Sequence, residues 1–202
     1  MNNQVYPVDS LITREMRESI KGQKACTIWL YGLSGSGKTT IANKLDVLLF
    51  EAGYHSYILD GDSVRTGLNN NLGFTEEDRD ENIRRCAEVC KLMNDAGIIV
   101  ISCFITPLEK NRQKIRDVLG ESLIEVFIDA DLSVCINRDP KGLYRKALDG
   151  TIQNFTGVSA PFESSVFGMV LKNNEIEDIE NNAKTLLSKI NSMYDEPTKR
   201  QN

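Results

Sequence analysis

Eight consecutive residues restrict this chain more than anything else in it. Gly32, Leu33, Ser34, Gly35, Ser36, Gly37, Lys38 and Thr39 lie between a compact apolar run, Cys26–Tyr31, and an amphipathic stretch, Lys38–Ala52. A glycine-rich bend that leaves a strand and opens a helix gathers backbone N–H groups and the positive end of the helix dipole around one point. Both the pattern and the strand-and-helix context it needs are present, which sets it apart from a plain glycine-rich turn. A phosphate cradle of this kind belongs on a parallel sheet with crossover helices.

The rest of the chain has the same rhythm. Short runs rich in Ile, Val and Phe at Cys26–Tyr31, Ser56–Leu59, Ile98–Phe104 and Ile124–Ile128 read as strands, with a fifth candidate at Phe167–Leu171. Helical spacing appears at Lys38–Ala52, Glu76–Ala96, Glu109–Leu119 and Glu177–Met193, with Thr75 placed to start the second and Gly53 and Gly97 placed to stop two of them. The alternation predicts an α/β fold: a phosphate-loop-kinase-like three-layer sandwich with a central, mostly parallel sheet and helices on both faces. Asn137 to Pro161 breaks the rhythm with Asp-Pro, several glycines and a basic helix-like piece, Lys141–Leu148, and reads as a mobile lid over the site. The expected organisation is a single domain over residues 1–202, with an N-terminal extension at 1–24 and the lid at 137–161.

Composition excludes several alternatives. With 202 residues and 41% hydrophobic content, the chain can bury a core without a metal or disulfide staple. The five cysteines, Cys26, Cys86, Cys90, Cys103 and Cys135, are scattered and have a single histidine, His55, for company, so they read as buried thiols of a reducing compartment and not as a zinc site. Met1–Ser10 is polar, and no apolar run approaches the roughly 18 residues of a membrane span. The expectation is a cytoplasmic protein without membrane partners. A net charge of −5 argues against nucleic acid as a partner, because duplex binding relies on basic surface.

In the phosphate loop, Lys38 offers its charge to β- and γ-phosphates and Thr39 offers a hydroxyl to Mg²⁺, a cation that keeps most of its shell for phosphate and water. ATP with Mg²⁺ is therefore the expected pair. There is no Asn-Lys-x-Asp segment of the guanine-reading type, and Ile98–Phe104 closes on Ser102 and Cys103 instead of a metal-holding aspartate. A small-molecule kinase fits the size and the lid. Asp60, Gly61, Asp62, Ser63, Val64 and Arg65 follow the second strand, at the carboxyl end of the sheet where open α/β folds collect ligands. A carboxylate there can orient an acceptor hydroxyl, accept its proton or hold Mg²⁺ through water, and Arg65 can meet an anion; a simple acidic turn would have the same letters. Phe74, Arg79, Asn82, Arg84 and Arg85 supply an aromatic, arginines and an amide that suit either base stacking with phosphate or sulfate binding, or a helix staple with a solvated basic face.

Taken together, these blocks resemble the adenylylsulfate kinases (APS kinases), which phosphorylate the 3′-hydroxyl of adenosine 5′-phosphosulfate (APS) to give PAPS. The resemblance spans nearly the whole core: Gly32–Thr39, Asp60-Gly-Asp62, Gly67-Leu-Asn69, Leu72-Gly-Phe74, Glu81–Arg85, Lys91–Gly97, Phe104-Ile-Thr-Pro107, Arg138–Tyr144 and Asn154-Phe-Thr-Gly157, in the family's order. It implies that the loop residues Gly32 to Thr39, together with Thr40 and Arg138, hold ATP, that Thr39 meets Mg²⁺, and that Lys38, Asp60 and Asp62 serve catalysis, Asp62 beside the attacking hydroxyl. It further implies that Arg65, Arg79 and Asn82 contact the phosphosulfate, that Phe74 and Phe155 sandwich the base, that Ile105 and Thr106 border the substrate, and that Lys141 approaches as the lid closes. A homodimer and a functional link to ATP sulfurylase follow from the same resemblance. The departures cluster on the acceptor side: Ser63, Thr66, Asn70, Asn71, Thr106 in place of the family's serine, and Leu108-Glu-Lys110. Polar exchanges beside a base change which nucleoside fits, so the alternatives are a kinase of a related nucleotide anhydride, for example cytidine diphosphoramidate, or a nucleotide-binding subunit without turnover.

Overall fold

A computed structural model describes residues 10–164 and 167–195. Five parallel strands form one sheet, β1 (Thr27–Tyr31), β2 (Ser56–Asp60), β3 (Ile99–Phe104), β4 (Leu123–Asp129) and β5 (Met169–Lys172), in the order β2-β3-β1-β4-β5. The helices are α1 (Arg14–Lys21), α2 (Lys38–Glu51), α3 (Gly61–Arg65), α4 (Glu76–Asp95), α5 (Glu109–Leu119), α6 (Leu132–Arg138), α7 (Leu143–Leu148) and α8 (Glu177–Asp195). The α/β sandwich expected from the alternation is the architecture found. The fifth strand starts at Met169 instead of Phe167, and the others differ from expectation by one or two residues at their ends.

All of β1 is buried, as a central parallel strand must be when helices cover both faces. Alternate residues go to opposite sides. Ile28 and Leu30 join Ile41, Leu45 and Leu49 of α2 and Ala183, Leu186 and Ile190 of α8 in one core. Trp29 and Tyr31 join Ile83, Cys86 and Cys90 of α4 and Ile115 of α5 in the other. With helices on both sides, the sheet leaves its carboxyl edge as the place where loops converge.

Three helices were not expected from spacing. Helix α1 lies inside the presumed N-terminal extension; Thr13 caps it by accepting from the Met16 N–H, and Arg14 donates to Ser122 Oγ at 2.7 Å and also to the Ala25 carbonyl. Helix α3 occupies what reads as an acidic turn and exists because Asp60 Oδ1 accepts from the N–H groups of Asp62 and Ser63. Helix α6 lies between Asp131 and the lid. The expected start of α4 holds: Thr75 Oγ1 accepts from the Asp78 N–H at 3.2 Å.

The excursion at 137–161 has its own small core, with Cys135, Tyr144, Ala147 and Phe155 packed together and Leu33 of the phosphate loop against them. Its basic piece is the short helix α7, beginning at Leu143 instead of Lys141.

Candidate active site

The phosphate loop is built from the end of β1 and the start of α2. At Gly32, φ is 150°, and a Cβ there would lie 2.5 Å from the Ile128 carbonyl oxygen, so no side chain fits. Gly37 caps α2 in the left-handed region at φ 97°, and a Cβ there would lie 2.2 Å from Asn173 Nδ2. These two glycines let the loop press against β4 and the end of β5.

Two residues that sequence reasoning missed brace this loop, and a third braces the loop after β3. Asn173, fully buried, donates from Nδ2 to the Ser36 carbonyl at 2.6 Å. Tyr144 of the lid core donates to the Ser34 carbonyl at 2.9 Å, and burial pushes its phenol pKa upward, which keeps that proton in place. Arg112, also buried, holds the loop after β3 from below. Asn173 and Tyr144 meet their targets across 137 and 110 residues of sequence, and Arg112 also reaches Glu163, 51 residues on, so local spacing assigns none of them this role.

Lys38 is folded back onto its own loop, donating to the carbonyls of Gly32 at 3.0 Å and Leu33 at 2.6 Å. Burial lowers its pKa to about 8, with Cys103, Cys135 and Asp60 pulling the other way. It is still charged at neutral pH. Thr39 donates to Asp60 Oδ2 at 3.0 Å. Thr40 follows in the first turn of α2 and is exposed. Arg138 donates to the carbonyls of Asn173 and Asn174 at 2.9 and 2.8 Å, beside the same brace.

On the acceptor side, Asp62 pairs with Lys141 of the lid, and both are largely exposed. Arg65 donates to the carbonyls of Leu72 and Gly73 and lies over the Phe74 ring at 4.5 Å. Phe74 itself is 69% exposed, so its free face is open to a stacking partner. Arg79 reaches from the Phe74 carbonyl, at 3.0 Å, to the Asn154 carbonyl, also at 3.0 Å, and so ties the Phe74 loop to the segment carrying Phe155. Burial, then the neighbouring Arg65, lowers the Arg79 pKa. Phe155 packs edge-on to Tyr144 with 5.0 Å between centroids. Asn82 is buried and accepts from Asn69 Nδ2 at 3.0 Å.

Thr106 adopts a positive φ of 42°, uncommon for a β-branched residue, and accepts from Trp29 Nε1 at 3.0 Å. The Ile105 carbonyl accepts from the Gly32 N–H at 3.3 Å, linking this loop to the first residue of the phosphate cradle. Between Leu33, the end of β4 and the strip Gly157–Phe162 lies a cavity of about 610 Å³. The arrangement brings Lys38, Thr39, Asp60, Asp62, Lys141, Ile105 and Thr106 to the carboxyl edge of the sheet. It places Asn82 in an internal hydrogen bond and Phe155 in the lid core.

A phosphate loop on a parallel sheet with a capped acidic turn opposite and a basic excursion at 137–161 beside it defines a phosphate-loop kinase. The chain belongs to the adenylylsulphate kinase family, whose model matches residues 24–170. An adenylyl-sulfate kinase of Clostridium kluyveri is 57% identical over 154 residues, covering 76% of this chain and 77% of the relative. One from Marinobacter nauticus is 55% identical over 165 residues, with coverages of 81% and 82%. The solved APS kinase CysC of Mycobacterium tuberculosis, in complex with AMPPNP and APS, superposes with a TM-score of 0.78 at 39% identity over 82% of this chain and 97% of that one. Among the described residues, no helix is long and apolar enough to cross a membrane.

Proposed function

We propose that this chain transfers the γ-phosphoryl group of ATP to the 3′-hydroxyl of adenosine 5′-phosphosulfate, producing PAPS and ADP. The observation that carries the reading is the double use of Asp60. One carboxylate oxygen engages Thr39 of the phosphate loop and the other caps the helix that bears Asp62, so donor and acceptor sides hang on one side chain. The family membership and the acceptor-bound relative supply the acceptor's identity.

Phosphoryl transfer requires alignment and charge neutralisation more than covalent help from the protein. Lys38 exchanges the carbonyls of Gly32 and Leu33 for β- and γ-phosphate oxygens. Thr39 Oγ1 and Asp60 Oδ2 are hard oxygen donors side by side, a set that fits Mg²⁺. Among the described residues no cluster of three or more His, Cys, Asp or Glu could hold a metal, which suits a cation that takes most of its shell from phosphate and water. When bound, Mg²⁺ neutralises charge on the transferring phosphoryl group.

Asp62 orients the acceptor hydroxyl and takes its proton. Arg65, Arg79 and Asn82 serve the phosphosulfate, and Phe74 and Phe155 the two faces of the base, once Phe155 leaves its edge-on contact with Tyr144. Lys141, now paired with Asp62, turns to the phosphates as the lid at 137–161 closes and excludes water. The family resemblance supports a homodimer and a functional connection to ATP sulfurylase. Five buried, free thiols support a reducing cytoplasm as the setting.

The test incubates the protein with Mg-ATP and APS and locates the new phosphate by mass spectrometry and ³¹P NMR. Phosphate on the 3′-oxygen is expected. ATP consumption without a phosphorylated nucleotide, or phosphate elsewhere, would overturn the reading.

A further inference from the structure

Arg112 is the largest charged side chain hidden in the molecule, and the transfer chemistry above makes no use of it. Its guanidinium is completely buried and lies over the Tyr31 ring, 5.1 Å from the centroid. Its donors are spent on oxygens from two stretches of chain, residues 106–109 just before it and Glu163. Nε meets Glu109 Oε2 at 2.8 Å, Nη1 meets the carbonyls of Thr106 and Pro107 at 3.1 and 3.2 Å, and Nη2 meets the Glu163 carbonyl at 3.0 Å. The Glu163 N–H donates back to the Pro107 carbonyl at 2.9 Å, which closes the ring of contacts.

A buried charge that served only stability would be a poor choice, since well-packed apolar groups do as well or better. What this fork adds is geometry. It fixes Thr106, whose backbone is held in a left-handed conformation that persists only when its surroundings over-determine it. From the other side, the Trp29 indole N–H grips the Thr106 hydroxyl oxygen. The same fork anchors Glu163, just beyond the strip Gly157–Phe162 where the chain returns from the lid and lines the cavity.

We infer that Arg112 is a positioning residue that locks the loop Ile105–Pro107 to the segment at Glu163 that returns from the lid and thereby sets the affinity for the phosphoryl acceptor, while leaving the ATP cradle to Asn173 and Tyr144. This rests on the kinase reading given above. A lysine keeps the charge but has no planar fork, so it cannot hold both stretches at once. A displacement of order 1 Å at a substrate-positioning loop costs up to about 100-fold in turnover.

Arg112→Lys and Arg112→Leu are compared with the unaltered chain by three readouts: the emission of Trp29, the single tryptophan of the chain, the Kd of a non-hydrolysable ATP analogue, and KM and kcat for APS and ATP varied separately. For Arg112→Lys the expected result is a shift of Trp29 emission to longer wavelength, an analogue Kd within about twofold, and kcat/KM for APS lowered about tenfold or more, chiefly through KM. Arg112→Leu should repeat that split; if it fails to fold, Arg112→Lys decides alone. A lysine variant that merely melts earlier, with emission and acceptor kinetics unchanged, overturns the inference, as do equal losses toward ATP and APS. Absence of any APS turnover by the unaltered chain would sink the functional reading instead, and the Trp29 comparison would still decide whether Arg112 holds the Thr106 loop.

Discussion

Thr39 donates to Asp60 across 3.0 Å, so the last residue of the phosphate loop and the last residue of β2 form a single hydrogen-bonded unit. Asp60 also caps α3, which means that its two oxygens have separable jobs. Asparagine caps helices about as well as aspartate, whereas alanine forfeits about 1 kcal/mol. Asp60→Asn should therefore leave the melting temperature nearly unchanged while lowering kcat about 100-fold or more, and Asp60→Ala should lose both. Thermal unfolding and steady-state kinetics on the two variants check this; equal melting losses would remove the cap from the account.

Lys38→Ala should abolish transfer without unfolding the chain. The unaltered lysine carries a second expectation, because burial lowers its pKa to about 8. Nucleotide phosphates need the charged form, which is fully present below that pH. Above it, binding must take up a proton, so affinity for a non-hydrolysable ATP analogue should fall about tenfold per pH unit. Calorimetric titrations from pH 7 to 9.5 test the sign, and a flat profile would contradict it.

Phe74 is exposed and its ring carries the Arg65 guanidinium. Its loss should therefore barely alter stability. Stacking of a base on an aromatic ring is worth about 1–3 kcal/mol, so Phe74→Ala should raise KM for the acceptor about tenfold or more and leave KM for ATP alone. A change confined to ATP would place the ring on the wrong side of the reaction.

Asn173 is the converse case. Removing its amide from the Ser36 carbonyl strips a buried acceptor of its partner, which costs about 1–3 kcal/mol. Asn173→Ala should melt earlier and bind ATP more weakly, with KM for APS unchanged. Melting curves and nucleotide titrations measure both.

Strand β1, the phosphate loop and α2 were legible because one local pattern specifies all three, and the sheet followed from short apolar runs spaced by amphipathic ones. Helices α1, α3 and α6 were not, because they are short and owe their ends to side-chain caps or tertiary contacts, such as Asp60 at α3, that no periodicity announces. The site divides in the same way. Lys38, Thr39, Asp60 and Asp62 stand in contiguous motifs, whereas Asn173 reaches Ser36 across 137 residues of sequence. Arg112 has the look of any charged residue on an amphipathic helix, and only the approach of Glu163 to the start of α5 shows why it is buried. The single-residue braces are set by tertiary geometry, and local spacing carries no trace of them.

The most direct measurement of the central claim is the ratio of kcat/KM for APS to that for a cytidine phosphoanhydride, determined with saturating Mg-ATP. The account predicts a strong preference for APS, with Ser63, Thr66, Asn70 and Asn71 tolerated beside an adenosine-specific pocket. A preference for the cytidine compound would contradict it, and would mean that those same residues have respecified the acceptor within a retained kinase.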